Sequence, residues 1–91
     1  MPLFALICTD RPGQQALRLE NRAAHRAWLM AAECVVHAGP FLDDAGAMTG
    51  SLLVIDQPDR AAAAEWAAED PYARAGLFAD IRIERWQKVI G

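Results

Sequence analysis

The longest apolar runs of this sequence are long enough for a strand and too short for a membrane helix. Residues Leu3–Cys8 are apolar at every position, and Leu52–Ile55 form a second such run. A helix that spans a bilayer needs about 18 or more consecutive apolar residues. Each run is therefore predicted to be a strand that is buried on both faces.

The residues between these runs predict a helix and then a hairpin. Gln14–Ala32 is rich in Ala, Leu, Arg and Glu, which are strong helix formers. At about 100° per residue, its predicted buried face consists of Leu17, Ala24, Trp28 and Ala31. Cys34–Leu42 is apolar with a Gly-Pro interruption, and an Asp-Asp-Ala-Gly turn leads from it towards the strand pattern of Gly50–Asp56. These two segments form the predicted hairpin.

The second half of the chain again predicts a helix followed by a strand. Asp59 is placed to cap a helix over Arg60–Glu69, and Asp70-Pro71 ends that helix. Tyr72–Ala75 adds one turn, and Leu77–Trp86 alternates apolar and charged residues over most of its length. All 91 residues are thus one domain of order βαββαβ. This order predicts a ferredoxin-like α+β fold, a four-stranded antiparallel sheet with two helices on one face.

The predicted fold leaves the other face of the sheet without helices. An antiparallel sheet with one face in water alternates apolar and polar residues, whereas Leu3–Cys8 and Leu52–Ile55 are apolar throughout. A second copy packed sheet against sheet is the simplest cover for such a surface. We therefore expect a homodimer that encloses a barrel-like core.

Composition and charge argue against several classes of function. The net charge is −3 and the basic residues are scattered singly, so nucleic acid is not an expected partner. The first residues do not read as a secretion signal, so the chain is expected in the cytoplasm and not in a membrane. Cys8 and Cys34 lie in apolar runs and are expected to be reduced. Clusters that predict a metal site and glycine-rich motifs that predict a cofactor are absent from the sequence.

One stripe of the first predicted helix carries the candidate chemistry. The stripe consists of Arg18, Arg22, His25 and Leu29, at spacings of four, three and four residues. His25 is predicted at the edge of the buried face, where an imidazole is partly desolvated and still within reach of a small molecule. Because imidazole changes its protonation near neutral pH, this position suits a general acid or base. An ordinary histidine on a helix flank is the alternative interpretation.

Asp70 has both a structural and a functional interpretation. Asp followed by Pro is typical of a helix N-cap with proline at the first helical position. Both predicted helices lie on the same sheet face, so Asp70 can also reach His25. A carboxylate bonded to one imidazole nitrogen fixes the tautomer and leaves the other nitrogen free to move a substrate proton. The sequence places no hydroxyl or thiol nucleophile beside this pair, so proton transfer is favoured over covalent catalysis.

Two further features are weaker candidates for a site. His37 alternates with Val35 and Gly39 on the second strand, where a packed or edge-exposed histidine is the usual outcome. Gly50 and Ser51 are interpreted as the entry to a strand. The alternative interpretation is that their backbone amides bind an anion or a carbonyl group.

Taken together, the short motifs of the chain resemble those of the YciI-like family. The motifs extend over essentially the whole chain and are Arg22-Ala23-Ala24-His25, Ala38-Gly39-Pro40, Thr49-Gly50-Ser51-Leu52, Ala64-Glu65-Trp66-Ala67, Asp70-Pro71-Tyr72 and Gly76-Leu77. The resemblance implies a ferredoxin-like fold that dimerises as an α+β barrel, with a cleft built around a histidine and an aspartate. Carried over by position, these are His25 and Asp70. Arg22, Ser51 and Tyr72 match motif positions and are implied to bind substrate in the cleft.

The resemblance also implies a class of reaction. A characterised member of the family removes hydrogen chloride from a chlorinated hydroxyhydroquinone, and similar barrels include muconolactone isomerases. We therefore expect a lyase or isomerase type of step on a small cyclic or aromatic compound, without a cofactor, with His25 and Asp70 as the catalytic pair. The hairpin between Leu42 and Met48 is compact where many relatives have insertions, which argues against a lid there.

The sequence also allows two other interpretations of the chain. The first is a binding module or sensor that holds a small molecule without transforming it. The second is a purely structural dimer in which His25 and Asp70 serve only as a helix-flank residue and a cap.

Overall fold

The computed structural model describes residues 2–91 and confirms the predicted βαββαβ order. The elements are β1 (Leu3–Asp10), α1 (Gln15–Ala31), β2 (Val35–Leu42), β3 (Met48–Asp56), α2 (Arg60–Ala67), the short α3 (Pro71–Arg74) and β4 (Phe78–Trp86). The strands form one antiparallel sheet in the order β2-β3-β1-β4. The two short apolar runs thus lie in the two central strands. None of the helices within residues 2–91 is both long enough and apolar enough to cross a bilayer.

Local chemistry sets the ends of the two later helices. The Asp59 side chain accepts a hydrogen bond from the backbone N–H of Ala62 at 2.8 Å and so caps α2. Pro71 occupies the first turn of α3, where a backbone N–H has no partner within the helix, so proline loses no hydrogen bond there. Gly76 follows α3 with φ of 76°, a left-handed conformation that glycine adopts without strain.

The hydrophobic core lies between the sheet and the helices. Its buried side chains come from alternate positions of β1 and β3 and from the face of α2 that packs on them. They are Phe4, Leu6, Cys8, Leu53, Ile55, Ala63 and Ala67. Because alternate residues of a strand point to opposite faces, only half of each apolar run contributes to this core. The other half faces away from the helices.

The contact face of α1 differs from its prediction. Ala24 and Ala31, expected to be buried, are exposed, whereas Arg18 and His25 are the buried residues of this helix. The prediction was wrong because it relied on apolar periodicity, and part of the covered face of α1 is polar. Alanine also contributes little to a hydrophobic pattern, so its position does not fix the face. His25 therefore lies within the covered face and not at its edge.

The sheet face without helices is apolar at its centre. By alternation Ala5, Ile7, Leu52 and Val54 belong to this face, and Ile7 and Leu52 are half-buried there. Phe41, near the end of edge strand β2, is 38% exposed. The central strands are thus apolar on both faces, as predicted. The second copy that would cover this face stays a prediction.

Candidate active site

A cavity of about 290 Å³ opens between α1 and the strands β2 and β3. From α1 it is lined by Arg18, Arg22, His25, Arg26 and Leu29. From the strands and α3 it is lined by Ala38, Gly39, Pro40, Met48, Ser51 and Tyr72. The α1 wall is therefore cationic, while the facing wall is mostly apolar.

His25 and Asp70 form a buried hydrogen bond beside this cavity. The Nδ1 atom of His25 lies 2.7 Å from Oδ1 of Asp70, and the two side chains are only 8% and 2% exposed. His25 comes from the second half of α1, and Asp70 is the N-cap residue of α3. The fold thus brings together the two residues singled out from the sequence.

The direction of this hydrogen bond follows from the other contact of Asp70. The same Oδ1 atom accepts the backbone N–H of Tyr72 at 2.9 Å, so it acts as an acceptor. The Nδ1 atom of His25 must then donate, and we assign the proton of the neutral ring to Nδ1. The Nε2 atom carries the lone pair and has no hydrogen-bond partner among residues 2–91. Since His25 lines the cavity, Nε2 is the atom available to a substrate proton.

Tyr72 lies between His25 and Arg18. Its ring stacks on the imidazole with centroids 3.9 Å apart and planes inclined by 17°. The guanidinium carbon of Arg18 lies over the ring at 4.6 Å from its centroid. Two planar groups cannot share one ring face at these distances, so they cover opposite faces. Burial raises the pKa of the Tyr72 hydroxyl, an effect that the nearby Arg18 opposes, and the phenol stays protonated at neutral pH.

Arg18 is a buried cation held by two polar partners. Its Nε atom donates to Oδ2 of Asp10 at 2.7 Å, and its Nη2 atom donates to Oδ1 at 3.0 Å, which makes a two-point ion pair. Nη2 also donates to the Ser51 hydroxyl oxygen at 2.9 Å. Burial acts to lower the pKa of Arg18, but the hydrogen bond and negative charge of Asp10 and the contribution of Tyr72 together outweigh it, and the pKa is raised. The guanidinium group therefore stays charged on the cavity wall.

Asp10 and Arg26 belong to the site although no sequence pattern assigned them a role. Asp10 marks the end of the first strand, and its contact with Arg18 depends on a loop whose path no periodicity predicts. Arg26 lines the cavity one helical turn beyond Arg22. The signal that could have found Arg26 is its four-residue spacing from Arg22 on the same helix.

The three predicted substrate-binding residues all line the cavity. Arg22 is exposed at the α1 side, and Tyr72 is buried against His25. Ser51 is also buried, and its hydroxyl is engaged by Arg18. Ser51 thus belongs to a polar network on the wall and is not a free nucleophile.

Strand packing accounts for Gly50, and His37 lies away from the cavity. A Cβ atom at Gly50 would collide with the backbone carbonyl oxygen of Cys8, so the close approach of β3 to β1 requires a glycine here. His37 pairs with Val54 across the sheet and is exposed on the face without helices, outside the cavity.

The Cys8 thiol lies in the core close to the site. Burial, together with the negative charges of Asp70 and Asp10, raises the pKa of Cys8 to about 12. The thiol is therefore protonated at neutral pH and is a poor nucleophile. Within the part of the chain that the structure describes, no three His, Cys, Asp or Glu side chains converge to form a metal site.

Comparison with known proteins identifies the family. Residues 2–87 match the family model of the YCII-related domain. The chain belongs to this family. The YCII-related chain is 30% identical over 96 residues to Protein YciI of Escherichia coli O6:H1, with 96% of this chain and 98% of the relative covered. It is 33% identical over 95 residues to an uncharacterized protein of Haemophilus influenzae, with 94% and 97% covered.

A solved structure resembles this YCII-related chain over nearly its whole length. It is 5-chloro-2-hydroxyhydroquinone dehydrochlorinase (TftG) from Burkholderia phenoliruptrix AC1100, in complex with 2,5-dihydroxybenzoquinone. The TM-score is 0.84 at 36% identity, and 93% of each chain is covered. The family and the fold expected from the motifs are confirmed.

Proposed function

We propose that this chain is a small-molecule enzyme of the lyase type, in which His25 moves a proton on a hydroxylated ring compound and Asp70 orients it. The observation that carries the proposal is the 2.7 Å hydrogen bond between these two side chains beside the cavity. The similarity to TftG, whose name states a dehydrochlorination, supports the class of reaction. If Asp70 served only as the N-cap of α3, it would not need a hydrogen bond to an imidazole.

The proposed step is the loss of hydrogen chloride from the ring. Nε2 of His25 accepts a proton from the substrate, and the electron pair of the broken bond moves into the ring framework. The carbon–chlorine bond breaks with its electron pair, and chloride leaves. Asp70 stabilises the imidazolium that forms, because its carboxylate remains bonded to the Nδ1 proton. No electrons are gained or lost overall, so the stoichiometry of this step requires no redox cofactor.

Three further residues are proposed to bind the substrate or to hold the groups that surround it. The guanidinium group of Arg22 binds negative charge on the substrate. Tyr72 stacks on the imidazole and so fixes the position of His25 beside the substrate. Ser51 holds Arg18 in place and so maintains the shape of the cavity wall.

The proposal includes a homodimer paired through the sheet face without helices. Ile7 and Leu52 give this face an apolar centre that a lone subunit exposes to water. A two-fold pairing buries the same patch of both copies. The cavity lies on the helix-covered side of the sheet, so this pairing does not fill it.

The cysteines favour the cytoplasm as the location within this proposal. Cys8 is buried, Cys34 is half-buried, and both are free thiols. Free thiols persist in the reducing cytosol, whereas secreted small domains commonly pair their cysteines.

The experiment that tests this function is chloride release from 5-chloro-2-hydroxyhydroquinone by the full chain. The chain has two histidines, so His25→Gln has a matched control in His37→Gln. General acid–base catalysis contributes roughly 10²–10⁴-fold, so His25→Gln should lose at least about a hundredfold in rate. His37→Gln should retain the wild-type rate.

Two results would contradict the proposed function. Chloride release by His25→Gln at the wild-type rate would show that His25 does not transfer the proton. Saturable binding of the compound without chloride release by the wild-type chain would instead favour the binding module or sensor.

A further inference from the structure

Three arginines of α1 line the same cavity at four-residue intervals. Arg18, Arg22 and Arg26 are all part of its wall. Residues four apart on a helix are neighbours on one side, so the three guanidinium groups form a ladder along the cavity. Like charges at this spacing destabilise a helix. A ligand of opposite charge would relieve this repulsion.

Two of the three charges have no carboxylate partner within residues 2–91. Arg18 is neutralised by the two-point ion pair with Asp10. Arg22 and Arg26 take part in no ion pair or side-chain hydrogen bond among these residues, and both are exposed. No Asp or Glu of the described chain lines the cavity. A chain with a net charge of −3 therefore keeps a locally cationic site.

The rest of the cavity restricts the ligand to a small body with an apolar part. Leu29, Pro40 and Met48 provide apolar wall beside the arginines. The volume of about 290 Å³ lies just below the roughly 300–1,000 Å³ range of small-molecule sites. The complementary ligand is a single ring that carries an anionic group.

We propose, on the basis of the proposed function, that the substrate is a ring compound with a carboxylate, which Arg22 and Arg26 bind while the reacting part of the ring lies at Nε2 of His25. The planar fork of a guanidinium group matches the two oxygens of a carboxylate better than the single oxygen of a phenolate. The carboxylate is therefore a second recognition element, separate from the group that loses its proton. The chlorinated ring in the name of TftG has no carboxylate, so the proposed substrate differs from it by this group.

The test compares 3-hydroxybenzoate with 3-hydroxybenzyl alcohol, which differ in the charge of one substituent. Both are titrated into the full-length chain at constant ionic strength, and binding is followed by calorimetry and by NMR chemical shifts. We expect the benzoate to bind at least about tenfold more tightly than the alcohol, since about 1.4 kcal/mol corresponds to tenfold in affinity. Added salt should weaken the binding of the benzoate much more than that of the alcohol.

Matched variants locate the binding to the two arginines. Arg22→Gln and Arg26→Gln together should abolish the preference for the benzoate and leave the affinity for the alcohol unchanged. Arg85→Gln is the control, because Arg85 is an exposed arginine on β4, at the opposite edge of the sheet from β2. It should retain the preference for the benzoate.

Three results would overturn the proposal. They are equal affinity for the two compounds, an unchanged preference in the double variant, and no saturable binding of the benzoate. The His25→Gln variant separates this proposal from the proposed function, because it should bind the benzoate as the wild type does while chloride release is lost. Chloride release without any preference for the benzoate would overturn the carboxylate proposal alone.

Discussion

One carboxylate oxygen joins His25 to the start of α3. Oδ1 of Asp70 lies 2.7 Å from Nδ1 of His25, a residue 45 positions away in the chain, and also accepts the backbone N–H of Tyr72 at 2.9 Å. The helix cap and the proposed catalytic contact are therefore the same atom. This oxygen therefore links the orientation of the imidazole on α1 to the position of α3.

The double use of Asp70 predicts that two substitutions will have different effects. Asp70→Asn keeps an oxygen that can cap α3, but it removes the negative charge that stabilises the imidazolium, so chloride release should fall with little loss of stability. Asp70→Ala loses the cap as well and should cost about 1 kcal/mol more in the free energy of unfolding. Urea denaturation and the chloride assay measure the two effects. Equal stability of the two variants would contradict the cap, and full activity of Asp70→Asn would contradict the electrostatic role.

The Asp10–Arg18 ion pair predicts a large loss of stability when one partner is removed. Both side chains are less than a tenth exposed, at 8% and 6%, so either charge alone would remain buried without its partner. Arg18→Gln should destabilise the chain by about 3–5 kcal/mol. Arg22→Gln is the control, because Arg22 is exposed, and it should change the free energy of unfolding by less than about 0.5 kcal/mol. Similar unfolding midpoints for the two variants would show that the ion pair contributes little.

The raised pKa values of Cys8 and Tyr72 predict a loss of stability at alkaline pH. Both groups are acids whose folded-state pKa lies above the ordinary value, at about 12 for Cys8 against 9.0. The folded state therefore holds protons that the unfolded state releases, and stability should fall as pH rises from about 9 towards 12. Each such group contributes a slope of at most about 1.4 kcal/mol per pH unit.

The variant Cys8→Ala tests the share of this slope that belongs to the thiol. Its free energy of unfolding should decrease less steeply than that of the wild type between pH 9 and the folded-state value near 12. Denaturation series at several alkaline pH values provide the comparison. Parallel curves for the two proteins would mean that Cys8 ionises as easily in the folded chain as in the unfolded one.

The apolar sheet face predicts a dimer that one charge can dissociate. Leu52 is half-buried at the centre of this face, whereas Leu19 is 70% exposed on α1. Analytical ultracentrifugation should find the wild type and Leu19→Arg as dimers and Leu52→Arg as a monomer. Circular dichroism should show that Leu52→Arg is folded. A monomeric wild type at micromolar concentration would contradict the pairing.

The order of strands and helices could be predicted from the sequence because short sequence patterns determine it. The fully apolar run Leu3–Cys8 predicts a central strand, and Asp59 and Asp70 mark helix starts through their own side chains. The orientation of α1 could not be predicted in the same way, because its covered face includes Arg18 and His25. A hydrophobic pattern assigns such residues to the surface.

The site was predicted only in part for a related reason. His25 and Asp70 occupy motif positions, and a shared sheet face allows them to meet. Asp10 and Arg26 gave no comparable signal. The ion pair of Asp10 depends on the tertiary path of the chain, and an exposed arginine such as Arg26 looks like any other solvated charge until the cavity beside it is known.

The most direct test of the proposed proton transfer is the tautomer of His25, read from the nitrogen-15 chemical shifts of its ring in the full-length chain. At a pH where the ring is neutral, the hydrogen bond to Asp70 predicts a proton on Nδ1 and an unprotonated Nε2. His37, which lies on the other face of the sheet and outside the cavity, provides the comparison ring in the same spectrum. A neutral His25 ring with its proton on Nε2 would contradict the proposed role, because the nitrogen that is not bonded to Asp70 would then have no lone pair to accept a substrate proton.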